Sequence, residues 1–221
     1  MVEPCFLARG DTVDKGQFCF LKDQYYMKFT DKYLMKNKET IAGVEHNRPF
    51  FFVFPDVSVP GIYWLVPVSS RCDKYKTEYD KKVERYGFCN TIRFGTILGT
   101  QAAFLIQNMC PVTEEYISKI YKDKNNMPIK IDNRILQDVI YNARKVLDRH
   151  LRGVPLIFPD VKTIYNTLCA ELESQKTEPI KNTDKKPSLL GKIKHYKSKI
   201  AKQKRQYRQK NISKNKNTPE K

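Results

Sequence analysis

Apolar residues fall along the chain in short dense runs separated by turn residues. Gln17 to Leu21 predicts a short aromatic strand. The nearly all-aromatic run Phe50 to Phe54 and the run Ile62 to Val68, separated by Pro55, Asp56, Pro60 and Gly61, predict central strands of a small barrel or sheet. Thr91 to Phe94 and Ala102 to Ile106 predict two more. Between these lie stretches with the period of a helix. Tyr75, Tyr79, Val83 and Tyr86 recur on one face of a segment that opens at Ser69–Asp73 and stops at Gly87. Lys22 to Tyr33 reads as a helix and then a loop, Thr113 to Lys122 as a helix after Pro111. A longer helix starts near Asp132 or Asn133, with Ile135, Val139, Ile140, Ala143, Val146 and Leu147 inward. A last one runs from Pro159, at the first helical position, through Ile164, Leu168 and Leu172. Residues 36–49 are polar and predict a mobile connection. Strands and helices mix without βαβ regularity, so the expected class is α+β.

Apolar density collapses after Ser174, which predicts an ordered domain over 1–173 and a separate tail over 174–221. Charge sharpens that division. The 221 residues carry 41 Lys and Arg against 24 Asp and Glu, a net +17. Residues 181–221 hold 15 basic and 2 acidic side chains, leaving 26 and 22 for the rest. The tail is thus +13 and the body +4. Leu189, Ile193, Tyr196, Ile200 and Tyr207 keep helical spacing within it, predicting a segment that is disordered alone and helical when held. Basic residues interleaved with tyrosines point to a polyanion, RNA above all, with solubilisation as the plainer use.

Composition removes several classes. The hydrophobic fraction of 40% excludes wholesale disorder, and no apolar run approaches the ~20 residues a membrane helix needs. The six cysteines form no C-x-x-C pair and no secretory leader pattern opens the chain, which predicts a cytoplasmic protein with neither disulfides nor a metal site. Phosphate-binding loops, dinucleotide fingerprints and nucleophile elbows are missing too, and there are only three histidines. What remains is cofactor-free chemistry by hydroxyls, cations and backbone amides.

Val66 to Tyr75 offers all three. Ser69 and Ser70 stand where a strand ends, with Arg71 beside them, Lys74 one helical turn beyond, and the free amides of a helix start between. Either cation is able to serve the hydroxyls. The plainer alternative is a capping box in which Ser70 and Asp73 only satisfy those amides. His46 and Arg48 precede the Phe50 strand, where Arg48 would stabilise a pentavalent phosphorane or else belong to a surface loop. Gln107 and Asn108 follow another strand and would read a base edge or make a turn, with Met109 and Cys110 in the core.

Six collinear stretches resemble one family. They are Tyr33-Leu-Met-Lys-Asn-Lys-Glu39, His46-Asn-Arg-Pro49, Pro67-Val-Ser-Ser-Arg-Cys-Asp-Lys-Tyr75, Cys89-Asn-Thr-Ile-Arg-Phe-Gly95, Ala103-Phe-Leu-Ile-Gln-Asn-Met-Cys-Pro111 and Ile157-Phe-Pro-Asp160. Over residues 17–172 they resemble the CptN branch of type III toxin–antitoxin toxins, endoribonucleases related to ToxN and AbiQ. The resemblance implies a small antiparallel barrel-like core, related to MazF and Kid, decorated with helices. It implies metal-independent cleavage of cellular or phage RNA by 2′-hydroxyl attack, leaving a 2′,3′-cyclic phosphate and a 5′-hydroxyl. It also implies an antiviral role and inhibition by a small pseudoknotted RNA of repeats in a closed toxin–RNA hetero-oligomer. ToxN-like relatives read Thr-Ser-x-Lys-Lys at the junction. Here Ser69 and Ser70 take the hydroxyl places and Cys72 the first lysine's, so the cation falls to Lys74 or Arg71. Ser69, Ser70, Lys74, Arg48 and His46 are then the catalytic candidates, and Arg71, Tyr75, Lys36, Lys38, Gln107 and Asn108 the RNA-binding ones. A non-catalytic RNA-binding protein is the competing expectation, in which the same cations hold phosphate and the serines only cap a helix.

Overall fold

The computed structural model describes residues 14–36, 38–41 and 44–177, with side chains for 14–36 and 48–175. The dense aromatic runs form the strands. In chain order the elements are β1 (Phe18–Leu21), α1 (Asp23–Lys28), β2 (Lys38–Ile41), β3 (Val44–Asn47), β4 (Phe50–Pro55), β5 (Ile62–Ser69), α2 (Cys72–Tyr86), β6 (Ile92–Ile97), β7 (Thr100–Leu105), β8 (Cys110–Thr113), β9 (Ile117–Ile120), α3 (Asn133–Leu151) and α4 (Val161–Thr177). Seven strands make one antiparallel sheet in the order β6-β7-β5-β4-β1-β9, with β8 also on β5. The described residues up to Lys176 form one compact unit.

Strand β5 is the hub. One edge pairs with β4. Along the other, Ile62–Leu65 pair with β8 and Val68–Ser69 with β7. The chain between β7 and β8 makes a 3-10 turn at Ile106–Asn108, so the ladder on this edge is interrupted opposite Val66 and Pro67. The class is α+β as expected, but the sheet is open. Among the described residues β6 and β9 each pair with one strand only, so the barrel-like closure does not form. Beyond this edge of β5 the sheet continues as β7 and β6 along one stretch and as β8 alone along the other.

Both faces are covered, as the lack of alternation in Phe50–Phe54 requires. Phe51, Val53, Val66, Val68 and Phe104 pack with Val139, Ile140, Ala143 and Val146 of α3. Phe50, Phe52, Ile62 and Leu65 pack with Tyr25 of α1 and Ile164 and Leu168 of α4. Helix α2 covers the β6–β7 wing through Tyr75, Tyr79 and Val83 against Ile92, Ala103 and Leu105, with Met35 from the loop after α1. Gly87 ends α2 at φ 77°, a conformation glycine adopts without strain, and its N–H donates to the Val83 carbonyl at 2.7 Å. Gly95 admits α3 closely, since a Cβ there would lie 2.8 Å from Ile135 Cγ2.

Four local expectations are corrected. The predicted helix over Thr113–Lys122 is a 3-10 turn at Glu114–Tyr116 followed by β9. Its apolar spacing suits a helix, but β1 offers an open edge, and pairing there satisfies the backbone while burying Ile117 and Ile120. The polar stretch 36–49 carries the β2–β3 hairpin, whose β-branched Thr40, Ile41 and Val44 favour extended backbone. The final helix starts at Val161 rather than Pro159. Asp160 closes its first turn by accepting the Thr163 N–H at 3.1 Å and the Thr163 hydroxyl at 2.7 Å. At its other end α4 continues past Ser174 to Thr177. Residues 178–221, where the basic tail is expected, lie outside the described residues.

Candidate active site at the β5–α2 junction

Strand β5 ends at Ser69, which is buried and paired with Ala103 of β7. The chain then turns sharply into α2. The Ser69 hydroxyl accepts the Arg71 N–H at 3.2 Å, and the Ser70 carbonyl accepts the Cys72 N–H at 2.9 Å. The backbone N-cap is Arg71, whose side chain makes no capping hydrogen bond. The capping box of Ser70 and Asp73 is therefore not formed. Ser70 is exposed ahead of the helix start, where the positive end of the helix dipole lies.

Three cations gather here from two parts of the chain. Arg71 and Lys74 are exposed on the first turn of α2. Lys74 Nζ stands 5.4 Å from the centroid of the Tyr75 ring, which itself turns into the core. Arg48 arrives from the start of β4, buried, with Nη1 donating to the Val68 carbonyl at 3.0 Å. Next to it the Pro49 carbonyl accepts the Val68 N–H at 3.0 Å, so the β4–β5 pairing itself draws Arg48 to the serines. The surface-loop alternative for Arg48 is thereby excluded. Cys72 lacks the makings of a nucleophile: partial burial, then the neighbouring Asp73 charge, push its thiol pKa up.

The remaining candidates lie at different distances from this cluster. His46 sits on β3 opposite Glu39, and Lys38 on β2 opposite Asn47. Their side chains are outside the described residues. Lys36 is exposed on the loop after α1. Gln107 and Asn108 occupy the 3-10 turn, and both are buried with their amides engaged inside the protein. Lys82 Nζ donates to Gln107 Oε1, Gln107 Nε2 donates to Glu78 Oε2 at 3.4 Å, and Asn108 Nδ2 donates to the Tyr33 carbonyl at 3.1 Å. Met109 and Cys110 are fully buried, as expected.

Sequence reasoning missed Tyr26. Its hydroxyl is buried without a hydrogen-bond partner among the described residues. Burial raises its pKa well above the usual phenol range, and the Arg48 charge draws it partly back. A tyrosine in a Tyr-rich helix carries no signal of this in sequence. Missed as well was the structural use of His150, whose Nδ1 accepts the N–H groups of Leu156 at 3.3 Å and Ile157 at 3.2 Å.

No family model matches the chain, and no curated protein matches it. Among solved structures the fold is similar to that of AbiQ, described as a lactococcal anti-phage endoribonuclease belonging to the type-III toxin–antitoxin system. Identity is 13% and the TM-score 0.52, over 72% of this chain and 98% of that one. A second likeness, to a structure described as a processed non-coding RNA that regulates a bacterial antiviral system, has 17% identity and a TM-score of 0.35 over 73% and 89%. The AbiQ likeness establishes a shared fold. Among the described residues no helix is long and apolar enough to cross a membrane, and no three His, Cys, Asp or Glu side chains gather as metal ligands.

Proposed function

We propose that the chain is an RNA-cleaving toxin of the type III toxin–antitoxin kind, with the β5–α2 junction as its active site. The observation that carries this reading is the placement of the exposed residues Ser70, Arg71 and Lys74 at the start of α2, with the Arg48 guanidinium bonded to the Val68 carbonyl just before the serines. The fold shared with AbiQ supports it, as do the six collinear motifs of the CptN branch. The nucleophile is the RNA's own 2′-hydroxyl. It loses its proton and bonds to the adjacent phosphorus, and the bond to the 5′-oxygen breaks as that oxygen gains a proton. The ends are a 2′,3′-cyclic phosphate and a 5′-hydroxyl. The protein's part is to align the in-line attack and to hold charge on the phosphorane with cations and backbone N–H groups, neither of which calls for a metal. A small repeat-derived RNA is the antitoxin in a closed assembly in the cytoplasm, and the basic segment 181–221 adds sequence-independent attraction for phosphate.

The purified protein is expected to cut single-stranded RNA in excess EDTA, with fragments resolved by end-group analysis. Fragments bearing 5′-phosphates, or a strict metal requirement for cutting, would overturn the reading. The second reading, RNA binding without chemistry, is favoured by one observation: the Ser69 hydroxyl is already engaged with the Arg71 N–H. Tight RNA binding with no cleavage would select it.

A further inference from the structure

The 3-10 turn at Ile106–Asn108 ties three distant pieces of chain together. The Gln107 carbonyl accepts the Phe158 N–H at 2.8 Å, and the Asn108 amide holds the Tyr33 carbonyl at 3.1 Å. Lys82, two turns along α2 from Lys74, donates to Gln107 Oε1 and to Thr91 Oγ1 at 2.8 Å. The two loops also hold each other. Asp31 accepts the Tyr33 N–H at 2.6 Å through one carboxylate oxygen and the Asp160 N–H at 2.7 Å through the other.

What this frame presents is a pair of rings. Tyr33 and Phe158 lie 6.0 Å apart with 50° between their planes. They are 48% and 46% exposed although the backbone beneath each is pinned. Lys32 Nζ stands 4.9 Å from the Tyr33 centroid and Lys82 Nζ 5.8 Å from that of Phe158. Lys82 is half-buried, and this desolvation lowers its pKa, so the cation is already partly stripped of water before any anion arrives. Rings held half in water on a fixed frame, each attended by a cation, suit a flat π-bearing ligand on an anionic chain.

We propose that Tyr33 and Phe158, flanked by Lys32 and Lys82, form a stacking subsite for an unpaired nucleobase of single-stranded RNA whose backbone passes the Ser70–Lys74 junction. The subsite rests on the functional reading above and adds where the substrate is gripped. Helix α2 joins the two places, with Lys74 and Lys82 about 12 Å apart along its axis at 1.5 Å per residue. Gln107 and Asn108, expected to read a base, are instead positioning residues that fix the rings.

The test uses the full chain and a short single-stranded oligonucleotide with 2′-O-methyl sugars, which lack the nucleophile and stay intact. A series with one base removed at a time is measured alongside it by titration. One abasic position is expected to bind wild type about tenfold more weakly, the size of a lost base stack. Phe158→Leu and Tyr33→Leu, at exposed rings, are each expected to weaken the parent oligonucleotide by a similar factor and to erase the penalty at that same position. Variants that bind every oligonucleotide as wild type does, or penalties that multiply independently, would overturn the subsite while RNA cleavage by wild type keeps the functional reading. A protein that neither cuts nor binds RNA would overturn both. Binding of polyglutamate that Phe158→Leu and Tyr33→Leu weaken, with oligonucleotide binding left as in wild type, would overturn the subsite and assign the rings to an acidic protein partner.

Discussion

The β5–α2 junction and the 3-10 turn after β7 border the same hub strand and are built from similar small polar residues, yet their hydrogen bonds run in opposite directions. At the turn the side-chain amides are spent inward, with Gln107 and Asn108 buried and bonded to Lys82, Glu78 and the Tyr33 carbonyl. At the junction the buried Ser69 hydroxyl accepts the Arg71 N–H, while Ser70, Arg71 and Lys74 are exposed at the start of α2. Residue type did not separate the two, since each stretch follows a predicted strand and offers polar side chains suited to RNA. Commitment separates them. A buried amide with partners stabilises a loop, whereas an exposed serine and cations at the positive end of a helix are placed to meet an anion.

The largest expected effect tests the junction side. Ser70→Ala and Lys74→Ala should each lower RNA cleavage by about a hundredfold or more, the size of losing one preorganised stabilising group. Both positions are exposed, so the unfolding free energy should stay within about 0.5 kcal/mol of wild type by denaturant titration. A Ser70→Ala protein that cuts as fast as wild type removes the junction from the mechanism.

Gln107→Ala tests the other side, with stability and activity exchanging roles. Removing the amide takes an acceptor from Lys82 and a donor from Glu78, at a cost of about 1–3 kcal/mol. A lowered urea midpoint should accompany a maximal cleavage rate reduced far less than in Ser70→Ala, the deficit showing in KM. Equal losses of rate in the two variants would dissolve the distinction between the regions.

The smallest effect concerns pH. Neutral His150 accepts two N–H groups of the loop that carries Phe158, and burial lowers its pKa below the usual 6.5, opposed by a hydrogen bond to the Val154 backbone and then by the Asp160 charge. The unfolded chain therefore binds the proton more readily than the folded one. This contribution to stability is complete above pH 6.5 and is lost as pH falls below it toward the lower folded value. Urea midpoints at pH 8 and pH 5 should differ more in wild type than in His150→Asn, and equal differences would show that His150 does not carry the dependence.

Several features were legible because they depend on neighbours along the chain. The aromatic run Phe50–Phe54 could only be a strand buried on both faces, the spacing of Tyr75, Tyr79 and Val83 set the inner face of α2, and Gly87 set its end. The polar junction at Ser69–Lys74 was visible for the same reason, as hydroxyls and cations contiguous in sequence. Tertiary structure decided whatever needed a distant partner. The edge of β1 made β9 a strand where local spacing favoured a helix, and among the described residues β6 and β9 each found a single partner, which leaves the sheet open. The β4–β5 register carried Arg48 to Val68, and the fold left the Tyr26 hydroxyl buried near it. Periodicity reports which face of an element is apolar. It carries no information about which distant donor meets which acceptor, and at Gln107 and Asn108 that meeting engages both buried amides inside the protein.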